Sequence, residues 1–179
     1  MTDWSQIVQQ HGPIVWRTAF RLLNNEADAS DCFQRAFLSA LELERKEVIR
    51  NWPALLQRLA TARALECIRR QRRDANRLRG LAENPVIDRK DQGPVKAAQA
   101  SELADHLRAA LADLDARQAQ VFCLWCLDGL SYREISDQLN FTVNHVGVLL
   151  NRARTALRER LQSHRPTPDA EHFQQELDS

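Results

Sequence analysis

The sequence predicts an all-α fold made of two small helical domains joined by a flexible linker. Apolar residues recur along most of the chain at spacings of three and four, which is the period of amphipathic helices. The 179 residues include only five Gly and six Pro, so the turn residues that separate strands are scarce. A chain of this length fits one ordinary domain or two small ones.

Three helices are predicted in the first domain, residues 1–75. They cover residues 4–24, 27–41 and about 53–73. Gly12-Pro13 is a candidate position for a kink or a break in the first helix. Residues 42–51 are charged and irregular, which predicts a loop before Pro53 opens the third helix. We interpret the aromatic residues Trp16, Phe20 and Trp52 as core.

A linker over 76–100 is predicted from Gly80, Asn84-Pro85 and Gly93-Pro94, which interrupt any sustained period. A second helical domain then covers 101–162. Its first two helices are predicted at about 103–113 and 116–128, with Gly129 as the cap that ends the second. Residues 163–179 form an acidic tail that we expect to be disordered.

The most informative local pattern lies at 130–157. Ser131 and Glu134 have the spacing of a capping box, and Leu130 with Ile135 that of a hydrophobic staple. The short helix that they open ends near Leu139, and Thr142 caps a longer one. One apolar stripe follows in the longer helix, at Val146, Leu150, Ala153 and Leu157. This layout is typical of a helix-turn-helix motif.

The second helix of such a motif enters the major groove of DNA. Positions off the apolar stripe would meet base edges: Asn144, His145, Gly147, Val148 and Asn151. Three arginines are placed to neutralise phosphates: Arg133, Arg152 and Arg154. The alternative is a plain helical hairpin with a solvated basic face.

Charge distribution indicates a polyanionic partner although the net charge is only +1. Arginine is concentrated in two blocks, at 63–79 and 152–165. Two basic blocks far apart in sequence suggest two separate contacts with nucleic acid.

Other function classes find little support. There is no long apolar run and no signal-peptide pattern, so we expect a cytoplasmic protein without membrane insertion. Cys123 and Cys126 form a C-x-x-C pair inside an apolar helix, and no second ligand pair accompanies them; we interpret them as core. We expect no enzymatic activity, no cofactor and no metal, since no catalytic constellation is visible.

Two stretches resemble conserved regions of sigma factors. Residues 130–136, LSYREIS, and 151–157, NRARTAL, resemble the L-S-Y-x-E-I-A and H-R-A-R-x-x-L motifs of the fourth region. Residues 28–37, DASDCFQRAF, are similar to the D-A-E-D-x-x-Q-E-x-F of the second region. The order and spacing resemble the compact extracytoplasmic-function (ECF) group of the sigma-70 family.

This resemblance implies a factor that binds core RNA polymerase and directs it to promoters. Helix 27–41 would dock on the clamp coiled coil of the largest subunit through Asp28, Asp31 and Gln34, which we expect on one face. A solvated face or local pairing with Arg35 is the alternative. The minus-ten element would be handled by loop 42–51 and by five arginines: Arg63, Arg69, Arg70, Arg72 and Arg73.

The helix-turn-helix would read the minus-thirty-five element as duplex. The resemblance also implies contact with the flap region of the polymerase and control by an anti-sigma factor. Gly147 departs from the family's recognition helix, either to let the helix approach DNA closely or because it is tolerated. Two rival functions are a stand-alone helix-turn-helix regulator and a sigma-like interaction module with weak DNA binding.

Overall fold

The computed structural model describes residues 2–81 and 95–162, without the side chains of 81 and 95–101. The described residues form helices and no strand, which confirms the all-α prediction. The helices are α1 (Trp4–Leu23), α2 (Glu26–Glu44), α3 (Trp52–Leu81), α4 (Val95–Asp113), α5 (Ala116–Cys126), α6 (Tyr132–Leu139) and α7 (Val143–Gln162). The middle of the predicted linker and the predicted acidic tail lie outside the described residues.

Two helices of the N-terminal half differ from the sequence-based prediction. Helix α1 continues through Pro13 without a break, and Gly12 is buried against the ring of Phe33. Helix α2 ends at Glu44, so the predicted loop 42–51 was placed three residues too early and begins at Arg45. Charged residues in 42–44 are compatible with a helix because Glu and Leu are good helix formers.

Both ends of the predicted linker are helical in the structure. Helix α3 runs to Leu81 and α4 begins at Val95, so parts of 76–100 are helical. The extension of α3 is rich in arginine, which has a high helix propensity, and Gly80 falls in the last turn, where its cost is small. The domain boundaries themselves stay predictions.

Helices α1, α2 and α3 pack together as the N-terminal half. Their own core is a cluster of buried residues at Ile7, Val15, Ala36, Phe37, Ala40, Leu55, Leu56 and Ala60. Trp52 is half-buried, with its ring 5.3 Å from that of Trp4. Trp16 and Phe20 were predicted as core, but they are 36% and 42% exposed. Helical periodicity assigned them to the apolar face, yet they lie at its edge, stacked on each other.

Helices α6 and α7 form the predicted helix-turn-helix, and α5 packs against them. Glu134 accepts a 2.8 Å hydrogen bond from the Ser131 amide, and the Glu134 amide donates to the Ser131 hydroxyl at 3.3 Å, which completes the capping box. Asn140 ends α6 in the left-handed conformation, and the Thr142 hydroxyl caps α7 by accepting from the His145 amide at 3.2 Å. All four residues of the predicted stripe are buried, as is Leu149.

The two halves share a further apolar cluster. It takes Ala19, Leu22 and Leu23 from α1, Ala64, Leu65 and Ile68 from α3, and residues of the C-terminal half that include Leu111, Leu114, Cys123 and Leu157. Helices α4 and α5 therefore pack on α3, and α7 packs on α4 and α5. Leu103, at the start of the predicted helix 103–113, is 61% exposed and takes no part in this cluster.

Removing the Ser131 cap should lower the stability of the helix-turn-helix. Ser131→Ala deletes both hydrogen bonds of the Ser131 hydroxyl and leaves the bond from the backbone amide of residue 131 to Glu134, so we expect the free energy of unfolding to fall by about 1 kcal/mol. Urea denaturation followed by circular dichroism measures it. Thr155→Ala is the control, since Thr155 is exposed inside α7 and should lose nothing. An equal loss in both variants would contradict the role of the cap.

Candidate nucleic-acid interface

The exposed side of α7 is the first candidate surface. Burial of Val146, Leu149 and Leu150 fixes the rotation of the helix. All the α7 residues predicted to contact DNA, other than Gly147, are exposed: Asn144, His145, Val148, Asn151, Arg152 and Arg154. Arg133, on α6, is exposed as well. The fold therefore leaves the predicted reading face of the helix-turn-helix open to solvent.

Aromatic contacts hold several of these side chains in place. The guanidinium of Arg154 lies 5.4 Å from the centre of the Trp125 ring, and the His145 ring meets Phe141 edge-on at 5.0 Å. The second face of Phe141 is within reach of Arg117, at 5.8 Å. Such contacts reduce the side-chain entropy that is lost when a guanidinium binds phosphate. Trp125, Phe141 and Arg117 were not singled out by the sequence analysis.

The backbone of Gly147 faces α6 and not the solvent-exposed side of α7. A Cβ atom at this position would lie 3.7 Å from Cε2 of Tyr132, which is ordinary van der Waals contact. A side chain at position 147 would therefore lie next to α6. This geometry favours tolerance of the glycine over a need for close approach to DNA.

The basic face of α3 is the second candidate surface, and much of it is already engaged. Arg63 donates to the Ser39 hydroxyl at 2.8 Å and pairs with Glu66 at 2.8 Å. Arg72 forms two 2.8 Å hydrogen bonds with the carboxylate of Asp113, and Arg69 reaches the Leu114 carbonyl at 3.5 Å. Arg70 and Arg73 are exposed. Of the five arginines predicted for the minus-ten element, two present their charge to solvent in this arrangement.

The loop predicted to hold an extruded base borders a cleft between the two halves. Residues 47–51 line one side, together with Arg58 from α3. Glu134, Asp137 and Gln138 of α6 line the other side. Val48 is 88% exposed at the tip of the loop. One wall of the cleft thus carries Arg50, Arg58 and Glu47, and the other carries the acidic Glu134 and Asp137.

The residues predicted to bind polymerase are divided between two surfaces of α2. Asp28 accepts a 2.9 Å hydrogen bond from Gln71, and Asp31 pairs with Arg35 at 3.0 Å; both line a cleft against α3. Gln34 is exposed and lines a groove against α1 instead. The expectation that the three share one face was wrong, because two steps of three residues place Asp28 and Gln34 about 120° apart around the helix. Their role in binding stays a prediction.

The groove beside Gln34 is apolar, and the sequence analysis missed it. It is lined by Trp4, Val8, Phe33, Phe37, Leu38 and Leu41. Leu38 is 59% exposed and Val8 39%. The signal for this groove in the sequence was a set of apolar residues at i, i+3 and i+4 spacing on two helices that follow each other.

Asp128 belongs to the C-terminal half, but its side chain is inserted into the N-terminal half. Its carboxylate accepts hydrogen bonds from Thr18 at 3.0 Å and Thr61 at 3.3 Å, and Gln57 contributes another. Burial raises the pKa of Asp128, and these hydrogen bonds oppose that rise. Arg21 bonds the neighbouring carbonyl of Leu127. The sequence analysis did not single out Asp128 as functional.

The two buried cysteines are held in the thiol form. Burial raises the pKa of the Cys32 thiol to about 12, and burial also raises the pKa of Cys123. Cys123 is core, as predicted, but its partner Cys126 is exposed, so that prediction was wrong for Cys126. Within 2–81 and 95–162, no group of three His, Cys, Asp or Glu is placed to hold a metal ion. None of the helices described combines the length and apolar character needed to cross a membrane.

Comparison with known proteins places this geometry in a family. The profile described as Sigma-70 region 2 matches residues 7–74, and that described as Sigma-70, region 4 matches 105–157. The chain belongs to the sigma-70 family. The two matches correspond to the N-terminal half and to the helices around the helix-turn-helix.

Curated relatives confirm the ECF prediction. The chain is 32% identical over 92% of its length to the ECF RNA polymerase sigma factor SigE of Mycolicibacterium smegmatis, of which it spans 63%. It is 27% identical to the ECF RNA polymerase sigma factor SigW of Bacillus subtilis, over 88% of each chain.

Solved structures agree with the fold. The sigma factor RpoE of Bartonella quintana, in complex with the anti-sigma factor NepR, superposes with a TM-score of 0.52 at 21% identity, covering 92% of this chain and all of that one. CnrH, in complex with the cytosolic domain of CnrY, gives a TM-score of 0.54 at 23% identity, covering 89% and 88%.

Replacing Gly147 tests whether the lack of a side chain affects only the stability of α7 or also its binding to DNA. Gly147→Ala should raise the free energy of unfolding by up to about 1 kcal/mol, because alanine is the better helix former and meets no clash. The affinity for duplex DNA, measured by fluorescence anisotropy, should stay within about twofold. A tenfold loss of affinity in a stably folded variant would show instead that DNA approaches this backbone closely.

Proposed function

We propose that this protein is a sigma factor that binds core RNA polymerase, directs it to specific promoters and assists DNA melting. The observation that carries the proposal is the pairing of two family regions in one chain, each with its candidate surface on the expected helices. The activity is one of binding, with no catalytic step of its own. Because its target is RNA polymerase and promoter DNA, we expect it to act in the cytoplasm.

Helix α7 reads the minus-thirty-five element as duplex DNA. In helix-turn-helix proteins the first residues of the second helix meet base edges in the major groove. Asn144, His145 and Val148 occupy those positions and are exposed. Arg133, Arg152 and Arg154 lie beside them and contact phosphates, which position the helix without reading sequence.

The C-terminal part of α3 and the loop 45–51 handle the minus-ten element. Melting requires a base to leave the stack, which costs a few kcal/mol. Backbone contacts from arginines and a pocket for the base offset that cost. Arg70 and Arg73 are exposed and available at once, whereas Arg63, Arg69 and Arg72 must exchange a protein partner for phosphate.

Helix α2 docks on the clamp coiled coil of the largest polymerase subunit. Asp28 and Asp31 provide acceptors for a basic partner, and Gln34 connects them to the apolar groove of α1 and α2. A partner helix with both basic and apolar residues fits this combination. The C-terminal half contacts the flap region of the polymerase.

An anti-sigma factor is a further expected partner. Two proteins of the same fold have been crystallised with such a binding partner or with the cytosolic domain of another protein. The apolar groove and the cleft between the halves are the exposed surfaces that such a partner would cover.

Charge reversal on α2 should weaken binding to core polymerase. Asp31→Arg replaces an acceptor with a repelling cation, and we expect the affinity for core to fall roughly tenfold, equivalent to about 1.4 kcal/mol. Gln34→Ala should also lower it. Glu102→Arg carries the same change of charge on exposed α4 and should bind as the unaltered chain does. Equal affinity of all three variants would place the polymerase contact elsewhere.

Arg152 should contribute to DNA affinity without contributing to sequence preference. Arg152→Ala removes one phosphate contact, so binding should weaken similarly on all duplexes, and the slope of log K against log salt should fall by about one. Arg17→Ala, on exposed α1, is the control. An unchanged salt slope would remove Arg152 from the interface.

A further inference from the structure

The outward side of α7 carries a line of uncharged side chains at Asn144, Val148 and Asn151, which we name the reading line. A helix turns by about 100° per residue, so these three residues fall within an arc of about 60°. The buried residues Val146 and Ala153 lie on the opposite side of the helix. All three side chains of the reading line are exposed, Val148 by 40%. A duplex that approaches α7 therefore meets this line.

Positive charge lies beside the reading line and not within it. Residues 143–151 contain no lysine or arginine. Arg152 and Arg154 follow on opposite flanks, each about 80° around the helix from Asn144. The guanidinium of Arg154 is also held over the ring of Trp125, at 5.4 Å. Arginines on the two flanks suit the two phosphate backbones that border a major groove, and the uncharged line between them faces the base edges.

The residues next to the reading line leave it uninterrupted. His145 is turned to one flank, where its ring packs edge-on against Phe141 at 5.0 Å. Gly147 borders Tyr132 on α6 and has no side chain that could cover the line. The methyl groups of Val148 can therefore come into direct contact with a base.

The chemistry of the reading line matches one kind of base pair. The carboxamide of asparagine binds adenine through N6 and N7 together, and an apolar side chain packs on the C5 methyl group of thymine. Guanine is most often read by arginine or lysine, and the reading line has neither. Both amides are exposed, so their donors and acceptors are available to a base.

Spacing along the helix sets the length of the element. Asn144 and Asn151 are seven residues apart, which is about 10.5 Å at a rise of 1.5 Å per residue. Three base-pair steps of duplex DNA cover about 10.2 Å at 3.4 Å per step. The two amides can therefore reach adenines in a run of about four base pairs, with Val148 over a thymine between them.

We infer that α7 selects adenine–thymine pairs: Asn144 and Asn151 hydrogen-bond adenine edges, Val148 packs on a thymine methyl group, and no guanine is read between them. This inference rests on the proposed function, since it names the base pairs that α7 selects in the minus-thirty-five element. The flanking arginines supply affinity, and the reading line supplies the choice of sequence.

Selection from a duplex library tests the base composition. The full chain, alone and bound to core polymerase, is incubated with duplexes that carry a randomised segment, and the bound duplexes are sequenced. We expect a shared run of about four adenine–thymine pairs. Asn144→Ala and Asn151→Ala should each relax the preference at one end of the run only. Asn76→Ala, on an exposed position of α3, is the matched control and should return the unaltered motif.

Uracil in place of thymine tests the contact of Val148. The two bases differ only in the C5 methyl group, and each thymine of the selected run is replaced in turn. At one position we expect uracil to weaken binding of the unaltered chain roughly three- to fivefold. Val148→Ala should bind both duplexes equally. Val8→Ala is the matched control, because Val8 is 39% exposed on α1 and this variant should lose affinity on uracil as the unaltered chain does.

Three results would overturn the inference: a selected motif with guanine–cytosine pairs at its centre, no motif in either selection, or a folded Val148→Ala that still distinguishes thymine from uracil. An adenine–thymine preference that survives both asparagine variants would come from groove shape and would overturn it as well. Circular dichroism checks that each variant is folded. Failure of the proposed function has a different signature: the chain does not bind core polymerase, while the chain alone still selects its motif.

Discussion

The packing of α3 against both halves of the molecule is the contact on which the rest of the structure depends. This 30-residue helix buries Leu56 and Ala60 against α1 and α2, and Leu65 and Ile68 against α4 and α5. Burying each of the larger side chains, Leu56, Leu65 and Ile68, contributes roughly 1.5–3 kcal/mol. Because one rigid helix serves both cores, its basic C-terminal end is held at a fixed position beside the second half.

That contact explains why the arginines proposed to bind DNA also make internal contacts. The arginines of α3 that continue past the core need an anionic partner, and Asp113 lies where α4 ends against them. A half-exposed ion pair of this kind is worth little on its own, so phosphate can replace it. Asp128 differs, because its carboxylate is largely buried and accepts hydrogen bonds from Thr18, Thr61 and Gln57.

Local signals in the sequence were sufficient to predict the helix-turn-helix. Ser131, Glu134 and Thr142 act through residues three positions away, and the α7 stripe follows from the period of a single helix. Such features need no knowledge of distant parts of the chain. The same holds for the family motifs, which are contiguous stretches.

Features that depend on distant residues were not predictable in this way. The contacts of Asp128 with Thr18 and Thr61 span 110 and 67 residues, and no periodicity indicates them. Trp16 has the spacing of a core residue, but the exposed fraction of its side chain depends on the position of α2. Asp28 and Gln34 were assigned to one face, although six residues of a helix already place them about 120° apart; the positions of α1 and α3 then put them in different grooves.

Transcription with purified core polymerase tests the central claim most directly. Core is incubated with a promoter library, with and without this protein, and run-off transcripts are sequenced. The account predicts transcripts that depend on the protein and arise from templates sharing a two-element sequence. Binding to core without any dependent transcript, or no binding to core at all, would contradict it.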